Sequence, residues 1–246
     1  MIINKPWVVG PKELLQHAEE HVKVNGKSGF DLRIAMISID NSIELMIKTF
    51  LGLPQRARGR KGPPRKKLEE AVGFPELIDL LEEFAGDLIK GIELGDLEWY
   101  HRIRNNLYHS GNGITVDENQ VRSFLQVGII LFETLFEAKF KSELPKSKSA
   151  IFLDAWIELE NRLQTASLPY FSKPHHTPRG ILVERLFEKK IVDEEFVKLF
   201  NHLQTERNYI AHGVKSSNFD IDGLHMSEIM QGLSKLVGML PDWRKT

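Results

Sequence analysis

Apolar residues recur at intervals of three and four along nearly every long segment of this chain, the period of a helix buried on one side. Phe30 to Leu53 shows it best. Leu32, Met36, Ile39, Ile43, Met46, Ile47 and Phe50 fall on one side, and Gly52 and Pro54 end the run. The same period predicts helices over Leu14 to Val24, Phe74 to Leu88, Leu97 to His109 and Asp117 to Lys141. Alternating runs are scarce, and Ile2 to Val9 is the one short stretch that suits a strand. The polar, proline-bearing stretch 143–150 reads as a linker. Beyond it the pattern restarts, predicting helices over Ala150 to Ala166, Gly180 to Lys189, Asp193 to His212 and Leu224 to Leu240. The expectation is an all-α protein of two tandem bundles, 1–142 and 151–246.

Composition narrows the function. With 33 Lys and Arg against 34 Asp and Glu, the formal charge is −1. Bulk charge therefore does not carry the chain onto nucleic acid or an acidic membrane, although a local basic patch remains open. There is no Cys, which excludes disulfides, thiolate metal sites and Cys nucleophiles. The opening MIINKPWVVGPKELL lacks the pattern of a signal peptide, and the longest apolar run, Val127 to Phe132, is far too short to cross a bilayer. A soluble, cytoplasmic protein without a membrane partner is expected.

The two halves share a motif. HRIRNNLYHSG carries Arg104, Asn105 and His109; QTERNYIAHGV carries Arg207, Asn208 and His212. Both read Arg-Asn-x3-His, followed within two residues by Gly, at the end of a predicted helix with one more helix to come. By composition, one such match is expected roughly 0.02 times, and two on the order of 10⁻⁴. An internal duplication explains the pair better than chance. An Asp and a Glu one turn apart also occur in each half, as Asp40/Glu44 and Asp154/Glu158.

These residues resemble the HEPN superfamily, all-α bundles marked by an Arg-x4–6-His motif that commonly has a polar residue after the Arg. Many members are metal-independent endoribonucleases of toxin–antitoxin, abortive-infection and CRISPR systems, and their site usually forms where two such domains meet. The resemblance implies two tandem HEPN-like bundles packed as an intrachain pseudo-dimer. It further implies an RNA substrate, an antitoxin or regulatory protein as partner, and no cofactor or metal. Neither copy continues as His-x-Tyr, the form silenced by tyrosine nucleotidylation in some HEPN toxins: His109-Ser-Gly and His212-Gly-Val depart from it.

The residue types suit that chemistry. Cleavage without a metal needs a base for the ribose 2′-hydroxyl and an acid for the leaving 5′-oxygen, and imidazole serves as either near neutral pH. Arg104 and Arg207 offer permanent, planar charge to the phosphate, Asn105 and Asn208 orient, and the acidic pairs hold the Arg heads. Each copy's motif supplies one His, so two copies face to face supply acid and base. A homodimer pairing like units meets the same need. The alternative is a non-catalytic module that binds a nucleotide, RNA or a protein through the same groove.

Outside the motifs, Arg56, Arg58, Arg60, Lys61, Arg65, Lys66 and Lys67 place seven basic residues in twelve. The Gly and Pro among them predict a loop, either an RNA-contacting arm or a solvated segment. Adjacent His175 and His176 have no evident third ligand nearby, so a metal site is not expected there. Tyr108 and Tyr209 beside the motifs suit base stacking or helix packing.

Overall fold

A computed structural model describes residues 5–24, 28–89, 92–109, 116–172, 174, 177–212 and 224–240. Among them the regular structure is helical throughout, so the class is all-α. No described helix is long and apolar enough to cross a membrane. The chain divides into two compact units, Met1–Pro145 and Lys146–Thr246.

Unit one contains α1 (Val9–Lys23), α2 (Gly29–Gly52), α3 (Gln55–Arg58), α4 (Arg65–Glu70), α5 (Phe74–Ala85), α6 (Leu94–His109) and α7 (Glu118–Phe136). The long helix α2 is its axis, packing against α1, α7, α5 and α6. Its start is set by a capping box: Ser28 Oγ accepts from Asp31 N, and the Asp31 carboxylate accepts from Ser28 N. The predicted stripe is inside, with Met36, Ile39, Ile43, Met46 and Ile47 fully buried against Leu15 and Ala18 of α1 and Phe124 and Leu131 of α7. Gly128 permits the approach of α1, α2 and α7. A Cβ built there would stand 3.2 Å from Leu15 Cδ2, 3.5 Å from Ile39 Cγ2 and 3.7 Å from Ile43 Cδ1.

Unit two contains α8 (Lys148–Ser167), α9 (Arg179–Glu188), α10 (Glu194–His212) and α11 (Leu224–Met239). Its axis is α8, which packs against α9, α10 and α11 as α2 packs against α5, α6 and α7. Trp156 is the largest fully buried side chain, stacked 5.8 Å from Phe200, and its Nε1 donates to Glu160 at 3.0 Å. The same buried carboxylate accepts from Arg179 at 3.1 and 3.2 Å, which ties α9 to α8.

Four local expectations need correction. Among the described residues of the stretch read as a strand, Pro6–Val8 is a 3₁₀ turn and Val9 already begins α1. Helix α7 stops at Phe136 rather than Lys141. Glu137 takes a left-handed φ of 49°, the Glu133 carboxylate accepts from Phe140 N at 2.9 Å, and buried Glu19 of α1 accepts from Glu143 N and Leu144 N. These side chains capture the main-chain donors that a longer helix would use. The basic stretch is not one loop: α3 and α4 occupy its two ends, entered from Pro54 and Pro64, and α3 ends at Gly59 with φ 78°. Proline costs little there, because the first turn of a helix has no use for its missing N–H. The polar stretch 143–150 also gives its last residues to α8, which Ser147 caps by accepting from Ala150 N.

Candidate active site

In unit one the motif occupies the last turns of α6, and α2 supplies its partners. Arg104 Nε lies 3.3 Å from Asp40 Oδ2, an ion pair aligned too poorly to count as a hydrogen bond. Its Nη2 donates to Asn41 Oδ1 at 3.1 Å, and its Nη1 donates to Asn105 Oδ1 at 3.0 Å. The guanidinium is thus gripped from two helices while 21% of the side chain stays exposed. Tyr108, 65% exposed, places its ring 5.4 Å from Arg104 Cζ.

Asp40 has no exposed surface and carries a second partner, His101, whose Nδ1 lies 3.0 and 3.1 Å from the two carboxylate oxygens. The His101 ring stacks flat on Phe74 of α5, 4.2 Å between centroids and 6° between planes. A carboxylate only accepts, so Nδ1 carries the proton and donates. Sequence reasoning missed His101, Asn41 and Phe74. The spacing of His101, three residues before Arg104 and hence on its face, was the available signal. His109 closes α6 as the motif predicts, but its side chain lies outside the described residues, as do residues 110–115.

Unit two reproduces the motif but not its setting. Arg207 Nη1 reaches Asn208 Oδ1 at 3.4 Å, so in both copies the Asn amide oxygen accepts from the preceding Arg. Arg207, however, is fully buried where Arg104 is partly exposed. His212 ends α10 and is half-buried, and Tyr209 beside it is exposed. Four residues on from Arg104 stands Tyr108; four on from Arg207 stands buried Ala211.

The acidic pairs divide. Asp40 pairs with Arg104, but Glu44 pairs with Lys48 one turn on in α2. Asp154 is 40% exposed and pairs with Lys146, while the neighbouring inward position on α8 is taken by Leu153. Glu158 accepts from Arg162 at 2.9 Å. The resemblance between Asp40 and Asp154 is therefore one of sequence: one faces the packed side of its helix and the other does not.

Much of the basic stretch is spent inside unit one. Arg58 donates to the Phe50 and Leu51 carbonyls and to Arg60 O, capping the C-terminus of α2. Burial, with Arg60 close by, lowers its proton affinity. Arg60 grips both oxygens of Asp87 at 2.6 and 2.7 Å. Arg65 pairs with Glu69, Lys66 with Glu70 and Lys67 with Glu83. Arg56 and Lys61 are exposed and pair with none of the described residues. His175 and His176 lie outside the described residues.

No family model, curated protein or solved structure matches the chain.

Proposed function

We propose that the protein is a metal-independent endoribonuclease of HEPN type, with Arg104 as the phosphate-binding group. One observation carries the reading: a partly exposed guanidinium, fixed by Asp40, Asn41 and Asn105 from two helices, beside a tyrosine ring open to solvent. A fixed cation that pays no reorganisation cost stabilises the extra charge on a pentacoordinate phosphate more than a mobile one does. In the reaction a base takes the 2′-hydroxyl proton, the 2′-oxygen bonds to phosphorus, the P–O5′ bond breaks, and an acid protonates the 5′-oxygen. The products are a 2′,3′-cyclic phosphate and a 5′-hydroxyl. His109 and His212 are the proton-transfer candidates that the two motifs supply, one in each unit. The natural partners are RNA and a protein that restrains the activity, as for a toxin and its antitoxin.

Purified protein incubated with total RNA in EDTA is expected to leave cyclic-phosphate ends, and the His109→Ala, His212→Ala double variant to leave intact RNA. Unchanged cleavage by that variant rejects the reading. The full burial of Arg207 favours a second reading, a module that binds RNA, a nucleotide or a protein without cutting, since a buried guanidinium has no open face for a phosphate. Binding without new RNA ends, in wild type as in variant, identifies that case.

A further inference from the structure

We infer that His101 is the general base of the reaction, so that unit one by itself holds both proton-transfer groups. The inference rests on the ribonuclease reading above and goes beyond it, because His101 lies outside the repeated motif.

The geometry prepares one nitrogen for this work. Buried Asp40 receives the Nδ1 proton, which leaves Nε2 as the bare, basic nitrogen. Phe74 stacked on the ring holds its plane, and Nε2 makes no hydrogen bond to any described residue. The charged groups around the ring are Asp40 of α2 and, through that shared carboxylate, Arg104 of α6; α5 contributes apolar Phe74. As Nε2 takes a proton, the imidazolium forms in hydrogen-bond contact with a fully buried carboxylate that Arg104 shares. This is the arrangement by which a buried acid fixes the tautomer and orientation of a histidine base.

Placement agrees. His101, Asn105 and His109 stand at i, i+4 and i+8, a single stripe of α6, with Arg104 and Tyr108 beside it. The two histidines are roughly 12 Å apart along the axis, with the phosphate-binding Arg104 between them. A base on one side of the phosphate and an acid on the other is what displacement of O5′ by O2′ requires. His101 Nε2 takes the 2′-hydroxyl proton as the O2′–P bond forms, and His109 gives its proton to O5′ as the P–O5′ bond breaks. Unit two has Gln204 three residues before Arg207, and an amide cannot serve as a base.

The test is cleavage of a short RNA in EDTA by wild type, His101→Gln and His109→Ala, with RNA affinity measured alongside. Gln removes the ring base, and circular dichroism with the urea midpoint checks that the variant is folded despite the lost Nδ1 donor. We expect kcat to fall about 100-fold or more in His101→Gln with affinity within about twofold, and the limb of the pH–rate profile that reports the base to disappear. An RNA whose scissile bridging 5′-oxygen is replaced by sulfur, a leaving group that needs no acid, is expected to restore cleavage by His109→Ala and not by His101→Gln. Cleavage by His101→Gln within threefold of wild type, or its rescue by the sulfur substrate, overturns the role of His101 while leaving the ribonuclease reading intact. No cleavage by wild type between pH 5 and 9 overturns both. Independently of activity, nitrogen-15 NMR of the wild-type protein, with the ring assigned by its contacts to Phe74, is expected to find His101 protonated at Nδ1 in its neutral form; the opposite tautomer overturns the proposal.

Discussion

Asp40 is a buried carboxylate shared by an imidazole and a guanidinium, and that sharing gives a sharp stability prediction. Asp40→Ala removes the acceptor and leaves Arg104 and His101 with unmatched donors, a loss of about 3 kcal/mol. A fall in the urea midpoint at unchanged m-value measures it. Asp40→Asn keeps an acceptor for Nδ1 and is expected to lose less stability, while it weakens the support of any imidazolium formed at His101. The candidate site was half legible at this scale. Arg104, Asn105 and His109 stand out because the motif is repeated, and Asp40 because its acid recurs one turn before a Glu. His101 and Asn41 did not, because nothing local marks them: their partners lie 61 and 63 residues away in the chain. Glu44, Asp154 and Glu158 show the converse. Spacing put two acids on one helical face, and packing decided which of them met the Arg of the motif.

At the scale of the helix, three predictions follow from α2 and its neighbours. Ser28→Ala removes the capping side chain and is expected to cost about 1 kcal/mol, read from the thermal midpoint. Asp31 has its pKa lowered, first by the Ser28 amide, then by the Ser28 hydroxyl and His21. The help it gives α2 is therefore complete above the ordinary Asp range and is lost as pH falls through the depressed value, so an acid titration followed by hydrogen exchange in the first turn of α2 tests the sign. Gly128→Val drives two methyl groups into Leu15 and Ile39 and is expected to cost about 2 kcal/mol. Helix existence was readable because burial of a stripe every 3.6 residues is a local pattern. Helix ends were less so. The end of α7 depends on Glu133 and on Glu19, a residue from another helix, capturing main-chain donors, and α3 and α4 sit in a segment whose Gly and Pro content resembles a loop.

Over the whole molecule, charge is the property that changes most between sequence and structure. Seven clustered cations in a chain of net charge −1 suggested a nucleic-acid arm, yet five of them are paired or cap a helix within unit one. The double variant Arg56→Ala, Lys61→Ala removes the two exposed cations of the stretch that pair with none of the described residues. If both cations touch phosphates, the slope of log affinity against log salt for single-stranded RNA drops by about 1.4, whereas Arg58→Ala lowers stability without changing that slope. Filter binding across a salt series reads the slope directly, and an unaltered slope in the double variant removes Arg56 and Lys61 from the RNA-binding surface.

What the sequence determined alone is what depends on neighbours within a turn or two: the all-helical class, the stripe that each helix buries, and the Arg-Asn-x3-His endings of α6 and α10, in each of which the Asn binds its own Arg. The tertiary structure decided that Asp40 meets Arg104 and His101, that Asp154 meets Lys146 instead, and that Arg207 is buried while Arg104 is reachable. The division has one physical cause. Helical periodicity and i, i+4 contacts arise from the backbone's own geometry, whereas the partner and exposure of a charged head depend on which helix is packed against it.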